Sequence, residues 1–593
     1  MEISKVHIKN FRNINDVLVP MFGVTAIIGN NNSGKSNFLR AITLPLLSDD
    51  LGTGSKNLGW IDIGDRAKKK YYDYIKDNKD DLCNGTIESE SFAKIIPTVS
   101  VVVDFRVDGS EGYVMKDFVV DFSEDGEANY QLAYSFSCKK VQELLDHVVE
   151  VLTKAGNGDL DELRLNLLPI DFYSYSIYVP LKEKSVNYDN LRLLKYNAIA
   201  AERDEFSTSS SRLGSKPLVQ LLNKKLPMTS MMHIEKEYAS FFEQIKSLTG
   251  MEEILNWQEY SEVTNASEFF SKISILPNMP PMASLLSSVK LGYEESNLAS
   301  QGLGHRNLIL QLVIINSLIE ASNTLFSLLT IEEPEAHLCY SNQQIMNSFI
   351  SNVVDKNDNL QLIYSTHSTQ FLDKLDLSNL ILMNNGDGYA FEDEFEKEEM
   401  NYLSKNPNLD LFKLFYSRRC ILVEGLTEEL FIKSYFKTNQ NTLSDIEVIA
   451  FHKGFTKIID IWLKLNKNTN NKLGIIRDFD NQTNAQSEHE KYNIYENISI
   501  ETTIEYTLEN EIVSQVGNFE ILKNYFHKKH GWNDIETEKE LSSKWIGGKA
   551  EVMLMFCQDM GSEDLKDFKL PAHIDKVIQF LEKKEVVGEL VEG

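Results

Sequence analysis

Eight residues constrain this chain more than any others. Gly29-Asn30-Asn31-Asn32-Ser33-Gly34-Lys35-Ser36 follows the apolar run Val24 to Ile28 without a gap. A strand that runs into GxxxxGKS and on into a helix forms a phosphate-binding loop, because its glycines let backbone N–H groups turn onto an anion. Gly29, Asn32, Ser33 and Gly34 shape that loop. Lys35 supplies a point charge to the β- and γ-phosphates, and the Ser36 hydroxyl ligates Mg²⁺. The following helix is expected over Asn37 to Leu44, with Pro45 ending it.

The rest of a nucleotide site is expected downstream. Phe326 to Ile331 reads as a buried strand that ends in Glu332-Glu333-Pro334-Glu335-Ala336-His337-Leu338. Carboxylates at such a strand end hold a metal and polarise an attacking water. Glu332 is assigned to the metal, directly or through water, and Glu333 to the water. A further strand, Gln361 to Ser365, ends in Thr366-His367-Ser368. A lone histidine is usually structural, but its order after the acidic strand gives His367 the role of sensing the γ-phosphate. Ser300-Gln301-Gly302-Leu303-Gly304 precedes the apolar helix Leu308 to Ile319. Ser300, Gly302 and Gly304 fit a signature that reaches a phosphate bound by a partner subunit, the plain alternative being a loop with a helix cap.

A second chemical centre begins at the strand Cys420 to Val423, followed by Glu424-Gly425-Leu426-Thr427-Glu428-Glu429 and a helix. Ile446 to Phe451 is the next strand, then Lys453-Gly454 and a helix through Leu463. Leu473 to Ile476 ends in Arg477-Asp478-Phe479-Asp480. Residues two apart in an extended segment share a face, so Asp478 and Asp480 are both expected to look toward Glu424 and Glu428. Four carboxylates at strand ends make an oxygen cage for Mg²⁺ or Mn²⁺. Arg418, Arg419, Lys453, Lys457 and Lys472 lie along the same segment; together they could offset its charge, while each singly reads as a solvated surface charge.

Bulk properties bound the rest. A chain of 593 residues is too long for one core. No apolar run reaches the roughly 18–20 residues of a membrane span. Met1 leads into an alternating strand with no basic-then-apolar leader, so a cytoplasmic protein is expected. Five scattered cysteines, none in CxxC spacing, argue against a disulfide framework or a zinc site. With 60 Lys and Arg against 88 Asp and Glu the net charge is −28, so any DNA contact is expected to be local, metal-assisted and salt-sensitive.

Phe11-Arg12, the phosphate loop, SxGxG, EEPEAHL and STHS, in that order, resemble the ABC-type ATPase heads of the SMC, RecF and OLD group. One departure is Cys339-Tyr340, where the group often has His-Pro. The resemblance implies ATP, head-to-head sandwiching and hence a dimer or higher even oligomer. Strand–EGxxEE–helix, strand–KG–helix, strand–DxD resembles the TOPRIM fold. A head followed by TOPRIM is similar to the OLD (overcoming lysogenization defect) family, including its Gabija-type and retron-associated effectors.

That resemblance implies further residues. Glu505, on a helix, joins a metal. Lys549, before a small-residue helix, stabilises charge on the pentavalent phosphate. Arg203 corresponds to an arginine near the nucleotide. The implied α/β organisation is an ABC ATPase part over 1–200, a helical dimerisation insertion over 201–288, the rest of the ATPase over 289–395, and a TOPRIM nuclease domain with a helical extension over 410–593. The implied function is a two-metal DNA endonuclease or nickase in antiphage defence, controlled by ATP and by a partner such as a helicase or a retron reverse transcriptase with its DNA. A nucleotide-dependent scaffold with secondary or partner-gated cleavage stays open beside it. An SMC-like clamp is disfavoured, because the long arms are missing.

Overall fold

In the computed structural model the described residues are 1–48, 56–156, 158–181, 184–200, 215–249, 280–286, 289, 291–294, 296–319, 325–354, 357, 359–373, 375–405, 409–438, 445–451, 455–466, 469–479 and 483–582. Arg203, Lys453 and Asp480 lie outside them.

Alternation in Glu2–Phe11 buries Val6 and Ile8 on one face, and a register shift between Ile3 and Lys5 lets Ile3 join the same core. This strand pairs antiparallel with Ile14–Pro20 on one side and Val99–Arg106 on the other. Ala128–Cys138, Tyr173–Val179 and Lys184–Ser185 extend the sheet, with Val119–Phe122 on a side branch. The sequence reads as strand over Thr98 to Phe105, one residue ahead of the observed Val99–Arg106, and over Tyr173 to Val179, but does not show the antiparallel sheet these strands join.

The second sheet is the nucleotide-binding layer. Its order is Asp387–Ala390, Leu380–Asn384, Val24–Gly29, Leu360–Ser365, Phe326–Glu332, Leu194–Ile199 and Leu47–Ser48. All pairs are parallel except the first. Phe326–Glu332 and Leu360–Ser365 are buried almost continuously, as strands covered on both faces must be. The helix after the phosphate loop runs Lys35–Ile42, starting and ending earlier than expected. Its last carbonyls are closed by the Thr43 and Leu44 N–H groups, two residues before Pro45.

Between the two ATPase stretches, Ser215–Lys225 and Met228–Thr249 are helices, in keeping with the helical reading of that interval. The third sheet has four parallel strands in the order Ile446–Ala450, Arg419–Val423, Lys472–Arg477, Ile498–Thr502. Helices Asn518–His530, Glu538–Gly547, Lys549–Asp559 and Ala572–Glu582 follow it.

The nucleotide layer and the C-terminal sheet share one apolar core. Leu329 and Leu362 belong to the same cluster of buried side chains as Leu422, Trp462 and Ile475. The segment between them is packed rather than a loose linker: Phe391, Phe395, Leu403, Phe412 and Phe415 are all buried in that cluster. Lys464 Nζ adds ion pairs to Glu399 at 2.7 and 2.8 Å across the same junction.

Candidate functional site: a phosphate loop and carboxylates at strand ends

Three neighbouring strands bring the expected nucleotide residues to one edge. Ser365 is in register with Ile27 on one side and Glu332 on the other, so the loop, Glu332-Glu333 and Thr366-His367 emerge at the same level. Gly29 (φ 151°) and Gly34 (φ 114°) hold the loop in conformations that side chains rarely adopt. A Cβ on Gly29 would lie 2.2 Å from the Met383 carbonyl oxygen and 2.6 Å from Ser33 Oγ. Ser33 is buried and its hydroxyl has no hydrogen-bond partner, while Asn32 and Ser36 are exposed at the loop's mouth. Lys35 Nζ donates to the Gly29 and Asn30 carbonyls, each at 2.9 Å. Burial pushes this ammonium down to about 8, against the opposing pull of Glu333 and Glu335.

Arg12 braces the loop from behind. Its guanidinium donates to Asp62 at 2.8 Å and Asn37 at 2.9 Å, Asn37 donates to Asn13 at 2.7 Å, and Asn13 donates to the Asn32 carbonyl at 3.1 Å. On the acidic side, Glu333 adopts φ 43° and its carboxylate lies 3.8 Å from His367 Nε2. Burial lowers the His367 pKa, aided by the Lys35 charge and opposed by Glu333. One oxygen of Glu335 accepts from the Thr366 hydroxyl at 2.8 Å and from the His367 and Ser368 N–H groups at 2.7 and 3.3 Å. Glu335 therefore locks the acidic turn to the sensor turn, a role its sequence position did not reveal.

The helix Leu303–Ile319 begins inside the expected signature, with Ser300 and Gly302 exposed. Gly304 is fixed by close approach, since a Cβ there would lie 2.7 Å from the His337 carbonyl oxygen.

In the C-terminal sheet the chain leaves Arg419–Val423 toward Ile446–Ala450, then returns to Lys472–Arg477 on the other side. Ligand sites of open parallel sheets lie beyond the carboxyl ends of the strands at such a reversal. Glu424 and Asp478 stand there, one residue past the ends of Val423 and Arg477. Glu428, in the first turn of the helix Leu426–Thr438, is 5% exposed, and its carboxylate folds back over Gly425, where a Cβ would meet it at 2.7 Å. Asp478 is 7% exposed.

Several expectations change here. The strand stops at Arg477, so the two-residue alternation expected through Asp478 does not continue as sheet; Phe479 N–H instead donates to Thr503 Oγ at 2.9 Å. Glu505 is not on a helix. It lies exposed in the bend before Leu508–Ser514, because Glu511 captures the Ile504 and Glu505 N–H groups at 3.0 and 2.8 Å. That helix carries two buried acids, Glu509 and Glu511, which the spacing did not single out. Lys549 is the first residue of Lys549–Asp559.

Arg419, Lys457 and Lys472, three of the basic residues that could offset this charge, are engaged elsewhere. Arg419 and Lys472 open their strands, at the end opposite Glu424. Arg419 pairs with Asp445, Lys472 donates to the Phe580 carbonyl, and Lys457 pairs with Glu398. A cation that does reach one of these carboxylates is Arg477, whose Nε lies 3.8 Å from Glu424 Oε1. Among the described residues no three His, Cys, Asp or Glu side chains stand close enough together to hold a metal ion. Nor, among them, is any helix long and apolar enough to cross a membrane.

Together the loop, the acidic strand and the sensor strand define an α/β ATPase head. Residues 1–97 and 178–372, just under half of the chain, match the AAA ATPase domain family in two pieces around 98–177, a match that implies ATP binding. Over 472 residues the chain is 20% identical to Endonuclease GajA from Bacillus cereus (strain HuB5-5), a resemblance to the OLD-like ATPase nucleases. That match covers 72% of this chain and 66% of the relative, just under two thirds of its length. Among solved structures, the SMC head domain from Thermotoga maritima is 13% identical with TM-score 0.28, covering 65% of this chain and 97% of that one. The Smc head domain with an extended coiled coil, bound to the C-terminal domain of ScpA derived from Pyrococcus furiosus, is 14% identical with TM-score 0.31, covering 68% and 98%.

Proposed function

We propose that this chain is an ATP-controlled, divalent-metal-dependent DNA endonuclease or nickase, with a TOPRIM-type site in its C-terminal half and a role in antiphage defence. One observation carries the reading: Glu424 and Asp478 top adjacent strands at the reversal point of a parallel sheet that shares its core with an ATPase head. The similarity to an endonuclease supports it.

The residues fit the groups they would hold. At the head, the crowding around Gly29 and the buried Ser33 hydroxyl suit a phosphate cradle. At the sheet, the donors are all carboxylates, and Glu428 folds over a glycine whose missing side chain makes room for it. Glu424, Glu428 and Asp478, with Asp480 and Glu505, would hold Mg²⁺ or Mn²⁺. Such ions supply Lewis-acid activation of water and stabilise the leaving oxygen. Lys549 would place positive charge on the phosphate undergoing displacement. In the head, Lys35 binds the phosphates, Ser36 and Glu332 hold the nucleotide's metal, and Glu333 orients water beside His367. Ser300, Gly302 and Gly304 of one head would face the nucleotide of a second copy.

The deciding experiment is cleavage of supercoiled and linear DNA with Mg²⁺ or Mn²⁺, with and without ATP, by wild type and Asp478→Ala. Metal-dependent nicking lost in the variant supports the reading, and the ATP arm gives the sign of the control. Absence of cleavage under every condition would favour a nucleotide-dependent scaffold whose cutting waits for a partner.

A further inference from the structure

Arg477 occupies an unexpected place for a cation. It ends the strand Lys472–Arg477, directly before Asp478, and is 4% exposed. Its Nε lies 3.8 Å from Glu424 Oε1, and the side chains of both are largely buried. On its other side Nη1 lies 3.0 Å from His489 Nδ1. A guanidinium only donates, so His489 accepts through Nδ1 and carries its proton on Nε2 as a neutral ring. His489 is itself buried on the helix Thr483–Glu490, with its ring edge-on to Phe455 at 6.0 Å. The neutral ring orients the guanidinium without cancelling its charge. That charge is presented to Glu424 in surroundings where electrostatic interactions are weakly screened.

We propose that Arg477 is a built-in counter-ion of the carboxylate site: it positions Glu424 before metal arrives and, by its charge, sets how tightly a divalent cation is held there. The inference rests on the metal-site reading given above. A buried carboxylate left without a partner is costly, so a fixed cation lets the acids stay ionised and packed in the metal-free chain. The same cation repels an incoming ion. The site would then hold metal loosely and fill most readily when a substrate phosphate adds negative charge.

The test is Mn²⁺ binding by the metal-stripped full-length chain, followed by the electron paramagnetic resonance signal of free Mn²⁺, for wild type, Arg477→Gln, Arg477→Lys and Asp478→Asn. Arg477→Gln is expected to bind Mn²⁺ roughly tenfold more tightly than wild type, and Arg477→Lys to stay within about threefold of it. Asp478→Asn should bind more weakly. If Asp478→Asn weakens binding but Arg477→Gln does not strengthen it, the counter-ion role is overturned while the metal site stands. If Asp478→Asn leaves binding unchanged, the metal-site reading itself fails. Thermal unfolding of Glu424→Gln in chelator covers the case in which Arg477→Gln does not fold. A lower Tm supports pairing with Arg477, whereas an equal or higher Tm means that repulsion among the acids dominates and overturns the proposal.

Discussion

Glu335 grips the main chain of His367: its Oε1 accepts the His367 N–H at 2.7 Å while also taking the Thr366 hydroxyl. The histidine's position beside Glu333 is therefore set by a carboxylate 32 residues away in sequence. Glu335→Ala takes this acceptor from the Thr366 hydroxyl and from the His367 and Ser368 N–H groups, of which Ser368 keeps a second one, Thr366 Oγ1 at 3.0 Å, at a cost of about 2–4 kcal/mol. ATP hydrolysis should fall much further than ATP binding. Unfolding curves, together with single-turnover hydrolysis set beside binding of a non-hydrolysable analogue, check this.

Lys35 carries a pH prediction. Its ammonium is pushed down to about 8 by burial, and only the charged form attracts phosphate. Nucleotide affinity should be steady below that pH and fall by up to tenfold per unit above it, with a proton taken up on binding. Lys35→Arg, which stays charged, should bind with a flat profile between about pH 7 and 9.5. Fluorescence titration with a labelled ATP analogue distinguishes the two; equal slopes would refute the assignment.

Gly304 tests the signature. Gly304→Ala drives a Cβ against the His337 carbonyl, so the start of its helix must shift. Nucleotide binding by the full-length chain should persist, while ATP-dependent association of chains, followed by light scattering, should weaken at least several-fold.

His573 is 3% exposed and 3.9 Å from Glu511 Oε1, and burial, with a smaller push from Lys576, lowers its pKa to about 4. The unfolded chain takes up this proton near pH 6.5, whereas the folded chain resists until about 4. Its contribution is therefore fully present above about 6.5 and is lost as pH falls through that window, by up to about 3 kcal/mol. His573→Gln should remove that part of the acid sensitivity in denaturant melts at pH 7 and pH 5.

The nucleotide site was legible because its chemistry is written locally. A strand, GNNNSGKS and a helix occupy about twenty consecutive residues, and each acidic or histidine turn follows its own apolar run. What escaped depended on partners distant in sequence. Gln361 secures the first strand through Ile3, 358 positions away, and nothing in either neighbourhood announces that. Arg477 read as the residue before DxD, and only the register of Lys472–Arg477 on Arg419–Val423 sets it against Glu424. Glu505 came from the resemblance, while the buried acids Glu509 and Glu511 lie four and six residues later. Their signal was available: Leu508 and Ile512 place Glu509 and Glu511 on a short helix that has little solvent to face.

The continuous core beneath both sites has a mechanical meaning. Leu329, Phe415, Leu422 and Trp462 belong to one body of close-packed side chains, not to beads joined by string. Such a body has low compressibility and passes strain onward. A sub-ångström shift where the nucleotide sits would reach the distant strand tips as displacement rather than dissipate in a hinge. A protease cut between residues 396 and 418 would accordingly leave two fragments that still travel as one particle.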